Sequence, residues 1–405
     1  MNDKSVTTPL GSKGRPLSLR VFLLCLGLLW IAGAALRMPM LAVPPLLPLI
    51  HVDLDLSETD IGILAGLPSL VFAAASVPSS LLIARFGAKA ALVWGILLAA
   101  FAAAARAAAV DAATLFATTV AMAVGIAIMQ PSLPPIVRAW LPDRIGLATA
   151  AYTNGLLVGE VLAVSLTVPL VLRLADGSWR GAVIFWSAVV LLIALAVGFH
   201  GPRPGATETA DDAAPKWWPN WRDGRLWQLG LLFGSVNSIY FTTNAFLPDY
   251  LTYLGSPELV SPSLTALNTG QLPASFIMLA LAGRLMGRPL AYAVAGLLCV
   301  ASLAGILLMS GYWIVFWAGM IGFANAIAFV LILALPPLLS APDDVHRTAA
   351  GMFTISYSCA VLVPIIGGLA WDASEIAMAA FAPVGVCALV ITALPFGIDF
   401  HRRLA

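Results

Sequence analysis

Charged side chains are scarce in this sequence. Its 405 residues include 21 Lys and Arg and 20 Asp and Glu, so that charged residues make up 10% of the chain, whereas soluble domains carry about 25%. Hydrophobic residues make up 60% and the mean hydropathy is +0.95. Too few polar side chains remain to cover a water-exposed surface, which excludes a soluble globular enzyme and a disordered or fibrous protein. The net charge of +1 provides no basic field for nucleic acid.

Patterns that hold metals or perform catalysis are also missing from the sequence. The four cysteines show no CxxC or Cys/His spacing, and each lies in an apolar run, as expected of small packing residues; they are Cys25, Cys299, Cys359 and Cys387. No Walker A loop or catalytic triad pattern is present, and the histidines lie at the edges of the apolar runs. We therefore predict no enzymatic activity, no cofactor and no metal site.

Long uncharged stretches recur along the whole chain. A helix needs about 20 apolar residues to cross a bilayer, and the stretches between Val21 and Ile398 provide twelve such helices. We predict an all-α polytopic membrane protein with twelve transmembrane helices in two six-helix halves. The predicted parts are an N-terminal tail over residues 1–19, a first half over 20–200, a linker over 201–225, a second half over 226–398 and a C-terminal tail over 399–405.

The distribution of Lys and Arg predicts the orientation in the membrane. Most of them fall in the tails, in the linker and in every second loop, which are cytoplasmic if the N-terminus is cytoplasmic. Both termini are therefore expected in the cytoplasm. The Ala-rich spans favour the cytoplasmic (inner) membrane of a bacterium.

The two halves resemble each other at an offset of about 200 residues. Arg85–Lys89 lies opposite Leu285–Arg288, and Pro142-Asp143-Arg144 lies opposite Pro342-Asp343-Asp344. A parallel 6+6 repeat places a substrate site between the halves near the middle of the membrane. This organisation favours an alternating-access carrier that functions as a monomer, with a small-molecule substrate and the lipid bilayer as its partners.

The twelve spans, the repeat, the central linker and the short basic-Gly loops resemble the major facilitator superfamily. The family's loop pattern Gly-x-x-x-Asp-Arg-x-Gly-Arg-Lys is similar to Ser80–Lys89, where Arg85, Gly87 and Lys89 match. Ser80 and Ala84 replace the Gly and the Asp of the pattern. The resemblance implies a gating role for Arg85 and Lys89; anchoring by the positive-inside rule is the alternative.

Three segments are similar to the cyanate and 2-nitroimidazole transporter subfamily. They are 35–50 in the first predicted helix, Gly125–Pro134 in the fourth and Ala245–Leu251 in the seventh. The resemblance implies a carrier for small, often anionic or nitrogen-rich molecules.

Arg37 follows a long uncharged run, so that it lies deep in the first predicted helix. An Arg at such depth costs about 2.5–3.5 kcal/mol on insertion scales. It can extend along the helix to the outer surface, or it can face a central cavity and offer its planar fork to an anion. The subfamily pattern, which has Arg at this position, favours the cavity.

Glu160 is the one carboxylate deep within a predicted span. It can have a structural role, as the ion-pair partner of Arg37 or as a neutral packing group, or it can couple transport to protons. The sequence leaves the structural role and the coupling role open.

Polar residues recur on one face of the seventh predicted helix. Asn237, Tyr240, Phe241 and Asn244 follow the spacing i, i+3, i+4 and i+7. This stripe is predicted to face Arg37 across the cavity, with hydrogen bonding between helices as the alternative. Further candidates for substrate binding are Gln130, Tyr152, Asn154, Gln271, Asn325 and Tyr357.

Together these features predict a secondary active transporter of a small organic or inorganic anion, such as a cyanate-like ion or a carboxylate. Arg37 and the seventh-helix amides are expected to bind it, with protons as the candidate coupling ion through Glu160. The alternative function is export of neutral or weakly basic nitroheterocyclic or drug-like compounds.

Overall fold

The computed structural model describes residues 18–202 and 216–400. Residues 1–17, 203–215 and 401–405 lie outside the described residues, and with them nearly all of the predicted N-terminal tail and much of the predicted linker and C-terminal tail. The described part of the chain consists of helices and the turns that connect them, without a strand.

Twelve long helices follow one another in the described residues. They are α1 (Leu19–Leu41), α2 (Glu58–Phe86), α3 (Ala88–Ala105), α4 (Ala112–Trp140), α5 (Ile145–Leu166), α6 (Trp179–His200), α7 (Gly224–Tyr253), α8 in two pieces (Val260–Thr269 and Gln271–Leu285), α9 (Pro289–Leu308), α10 (Tyr312–Leu333), α11 (Val345–Ser374) and α12 (Ala382–Ala393). Among the described residues, 11 segments are long and apolar enough to cross a membrane. The remaining helix, α7, has 30 residues and contains the polar stripe.

The repeat predicted from the sequence is visible in the turns between helices. Residues Pro142–Arg144 and Pro342–Asp344 each form one turn of 3-10 helix, immediately before α5 and α11. Gly87 and Gly287 have φ angles of 82° and 75° at the equivalent α2–α3 and α8–α9 turns. A positive φ angle favours glycine because other residues carry a Cβ that collides with the backbone.

The first helix of each half departs from this symmetry. α1 ends at Leu41, and after Pro44 and Pro45 the chain resumes as a short helix over Leu47–Leu54. α7 continues without interruption through Pro248. Each proline removes a backbone donor from a helix, and in the first half the interruption falls at Pro44 and Pro45. Adjacent prolines do not end every helix of this chain, since α4 continues through Pro134 and Pro135.

The halves meet through two helix pairs that the repeat makes equivalent. α2 packs against α11, and α5 packs against α8. Small residues permit such close approach: a Cβ on Gly146 of α5 would lie 2.7 Å from the backbone nitrogen of Gly283 on α8. Within the first half, a Cβ on Gly155 would lie 2.0 Å from the carbonyl oxygen of Trp30, so that α5 also packs tightly against α1.

One end of the bundle ties the two halves together. This linker end holds residues 216–223 and the α4–α5 and α10–α11 turns. There Arg138 of α4 donates to the carbonyl oxygens of Pro337, at 3.0 Å, and Ser340, both after α10. Ser80 of α2 donates to the Trp217 carbonyl oxygen at 2.8 Å.

Hydrogen bonds at the opposite end join helices of the same half. Asp53 accepts from Trp179 at 3.0 Å and from Arg180. Arg106, only 3% exposed, donates to the carbonyl oxygen of Pro39 at 2.9 Å. These contacts brace the first half within itself at this end, while the linker end is closed across the halves.

Replacement of Arg138 with Ala is expected to loosen the linker end, because it removes both hydrogen bonds from α4 to the end of α10. The measurement is the distance distribution between spin labels introduced by Asp143→Cys and Asp343→Cys, which occupy exposed turns, with the four native cysteines replaced. We expect a larger population at long distances with Arg138→Ala. Arg222→Ala, at an exposed residue of the same end, is the control. An Arg138→Ala distribution equal to that of the control would contradict this closure.

Candidate functional site

A small cavity lies where the two halves meet, in the middle of the bundle. Its volume is about 20 Å³, room for about one water molecule. The cavity is surrounded by α1, α2, α4 and α5 of the first half and by α10 and α11 of the second. The lining residues are Leu36, Arg37, Phe72, Gln130, Leu133, Tyr152, Leu156, Phe329, Leu333, Phe353 and Tyr357.

Arg37 is the charged residue in this lining. Its side chain is 14% exposed, and its Nε lies 3.9 Å from Oε2 of Glu160, whose side chain is 12% exposed. Of the two placements expected for Arg37, the structure has the one that faces the cavity. At this separation the two atoms do not form a close hydrogen bond.

Glu160 links this cation to the second half of the bundle. Its Oε1 lies 3.2 Å from the hydroxyl of Tyr240 on α7. The same hydroxyl lies 2.7 Å from Oδ1 of Asn268 on α8, and Nδ2 of Asn268 donates to Oδ1 of Asn244 at 3.1 Å. A phenol has one proton to donate, so Tyr240 donates to either Glu160 or Asn268 at a given moment. We call Arg37, Glu160, Tyr240, Asn268 and Asn244 the polar relay.

Two further polar side chains reach the cavity with bonding capacity unused. Nε2 of Gln130 donates to the hydroxyl of Tyr357 at 3.0 Å. Oε1 of Gln130 and the hydroxyl of Tyr152 have no hydrogen-bond partner among the described residues, although these residues are only 8% and 2% exposed. Because buried polar atoms are normally paired, these two atoms are candidate contacts for a ligand.

Aromatic rings form much of the remaining wall. Phe72 lies 5.0 Å from Tyr357 between ring centroids, and Phe353 stacks on Tyr357 at 6.2 Å with 14° between the planes. The sequence analysis did not identify Phe72, Phe329 or Phe353. Aromatic residues in apolar helices face lipid as readily as a cavity, so that their sequence alone carried no signal.

The other predicted binding residues make contacts between helices. Asn154 accepts from Trp30 at 2.8 Å and donates to Ser275 of α8 at 2.9 Å. Asn237 donates to Ser356 of α11 at 2.8 Å, whereas Tyr240 and Asn244 belong to the polar relay. The residues of the predicted stripe on α7 therefore have two different sets of partners.

Gln271 and Asn325 complete the set of predicted binding residues. Nε2 of Gln271 lies 3.4 Å from the Asn268 carbonyl oxygen. Asn325 is buried, and its Oδ1 has no partner among the described residues. Four predicted residues line the cavity: Arg37, Gln130, Tyr152 and Tyr357.

The residues predicted for gating occupy the linker end. Lys89 donates to the carbonyl oxygen of Gly201, the first residue of the predicted linker, and Arg85 is exposed. Arg138 crosses between the halves, as described above, and was not among the predicted gating residues. In the parts of the chain that the structure describes, no group of three or more His, Cys, Asp or Glu residues is arranged to hold a metal ion.

Comparisons with known proteins agree on the kind of molecule. The family model of the Major Facilitator Superfamily matches residues 29–364. The cyanate transport protein CynX of Escherichia coli (strain K12) is 25% identical over 345 residues, which cover 84% of this chain and 88% of that protein. The 2-nitroimidazole transporter of the same strain is 27% identical over 376 residues, or 91% of each chain.

A solved structure has the same fold. The fucose:proton symporter FucP of E. coli superposes with a TM-score of 0.71 at 16% identity, over 95% of this chain and 99% of that one. At this identity the likeness shows the fold alone. Because the family match covers most of the chain, the protein belongs to the Major Facilitator Superfamily and is an integral membrane transporter, not an enzyme.

Proposed function

We propose that this protein is a secondary active transporter that carries a small organic or inorganic anion by alternating access. The observation that supports this most strongly is Arg37, a largely buried guanidinium in the wall of the cavity between the halves. A guanidinium offers several donors in a planar fork that matches a carboxylate or a similar anion. The names of the two E. coli relatives, a cyanate transport protein and a 2-nitroimidazole transporter, also refer to small substrates.

Alternating access requires that the linker end open while the opposite end closes. We propose that the linker end is cytoplasmic, because basic residues concentrate there, and that the protein resides in a bacterial inner membrane with both termini in the cytoplasm. The predicted domain boundaries and a functional monomer fit a cavity formed by two halves of one chain. Arg85 and Lys89 remain predicted gating residues, with Arg138 as the contact that must break.

Replacement of Arg37 with Lys is expected to weaken anion binding by about 10- to 100-fold, because Lys keeps the charge and loses the fork. This corresponds to losing one charged hydrogen bond of about 1.5–3 kcal/mol. The measurement is thermal stabilisation of purified protein across a concentration series of small carboxylates and cyanate. Arg173→Lys, at an exposed residue of the opposite end, is the control. Equal affinities in the Arg37→Lys variant and wild type would contradict anion binding at Arg37.

We further propose that Glu160 couples anion binding to protonation. The carboxylate of Glu160 faces Arg37 and the phenol of Tyr240. An anion bound at Arg37 would compete with Glu160 for the same cation, and two negative charges beside one guanidinium in an apolar bundle repel each other. Protonation of Glu160 removes this repulsion, so proton and anion are expected to bind together with positive coupling.

Replacement of Glu160 with Gln is therefore expected to abolish accumulation driven by a pH gradient and to preserve exchange of labelled substrate. The variant mimics the protonated carboxyl, so that its anion affinity is expected to be high and independent of pH. Transport into proteoliposomes with and without a pH gradient measures both properties. The exposed Glu258→Gln variant is the control. Loss of exchange together with accumulation would argue against a coupling role.

The aromatic wall and the 2-nitroimidazole relative support a second candidate function, export of neutral or weakly basic nitroheterocycles. Flat rings stack favourably on Phe and Tyr, and such binding needs no cation. In this case neutral heterocycles would stabilise the protein equally with and without Arg37. The Arg37→Lys titration, extended to 2-nitroimidazole, separates the two candidates.

A further inference from the structure

We propose that the substrate is a flat anion that also carries an N–H or O–H group, and that Gln130 selects it by accepting a hydrogen bond from this group. The inference rests on the proposed anion transport and specifies its substrate class. Arg37 attracts the negative charge of the ligand. Gln130 independently requires that another part of the ligand carry an N–H or O–H donor.

The orientation of the Gln130 amide carries the argument. Its Nε2 donates one N–H to the hydroxyl of Tyr357 at 3.0 Å, so that the amide keeps its second N–H and its acceptor Oε1 for other partners. Oε1 has no partner among the described residues, the residue is 8% exposed, and it lines the cavity. A carbonyl oxygen can only accept. A ligand that fills the cavity without a donor would leave this acceptor buried and unpaired, which is costly.

Tyr152 provides a second unpaired group in the same lining. Its hydroxyl is buried and has no partner among the residues that the structure describes. A phenol both donates and accepts, so that Tyr152 tolerates either kind of ligand atom. The requirement for a donor therefore arises from Gln130 and not from Tyr152.

The aromatic side chains impose the flat shape. Phe72 and Phe353 both contact the ring of Tyr357, and all three rings line the cavity. A cavity of about 20 Å³ must widen to admit a ring, and a thin conjugated ring needs less displacement of these side chains than a puckered ring does. Stacking between flat rings adds to the burial of apolar surface.

The need for a hydrogen-bond donor distinguishes between anions that Arg37 alone would bind equally well. The cyanate ion carries no hydrogen, so that it would satisfy Arg37 and leave Oε1 of Gln130 unpaired. A heterocyclic carboxylate with a ring N–H would satisfy both. We therefore expect cyanate to bind more weakly than such a carboxylate.

Three acids of nearly equal size test the inference by calorimetric titration of the purified full-length protein. Pyrrole-2-carboxylate is flat and carries an N–H, furan-2-carboxylate is flat with an oxygen in its place, and tetrahydrofuran-2-carboxylate is puckered. In wild type we expect the pyrrole acid to bind about 10-fold more tightly than the furan acid, or about 1.4 kcal/mol. The furan acid is expected to bind more tightly than the saturated acid.

Gln130→Met keeps the length of the side chain and removes the acceptor, so the preference for the pyrrole acid should fall to nearly none. Gln228→Met, in the first turns of α7 at the linker end, is the matched control and should retain it. Equal binding of the pyrrole and furan acids by wild type, with binding still dependent on Arg37, would overturn the donor requirement and leave anion transport standing. Tighter binding of the saturated acid than of the furan acid would overturn the flat shape. Failure of all three acids and of cyanate to bind would overturn both the inference and the proposed function.

Discussion

The ion pair between Arg37 and Glu160 is the interaction on which the polar part of this bundle depends. A guanidinium buried among apolar helices is tolerated when a negative charge or hydrogen-bond acceptors compensate it. Glu160 supplies that charge from the same half at 3.9 Å, and Tyr240 connects Glu160 to the second half. The 3.9 Å separation exceeds that of a close hydrogen bond, and the proposed competition by an anion for Arg37 starts from this contact.

The repeat makes the two helix pairs between the halves equivalent, and its departures from symmetry lie at the candidate site. Asn154 of α5 donates to Ser275 on α8, and Thr354 of α11, 200 residues further on, donates to the carbonyl oxygen of Ala73 on α2 at 3.0 Å. These two bonds, donated from equivalent positions of α5 and α11, join the two helix pairs between the halves. Arg37, by contrast, has Asn237 as its equivalent. The charge is therefore confined to the first half, while the second half contributes rings and amides.

Sequence patterns were sufficient for the fold and for the charged centre of the site. Membrane spans are determined by local composition, and a lone Arg or Glu in such a span is conspicuous because its burial is costly. The same reasoning could not locate Phe72 or Phe353, since an aromatic residue is equally at home facing lipid. Asn154 and Asn237 were recognised as unusual, but the partner of an amide depends on how helices pack, which their own sequence does not determine. Arg138 lies at a predicted span end, where a basic residue is ordinarily explained by orientation in the membrane.

The proposed competition between substrate and Glu160 for Arg37 is tested most directly by counting protons. Calorimetric titration of an anion that binds, in buffers of different ionisation enthalpy at a pH where Glu160 is ionised, gives the number of protons taken up per anion bound. We expect uptake of about one proton by wild type and none by Glu160→Gln, because binding and protonation are linked. Anion binding without proton uptake by wild type would contradict it.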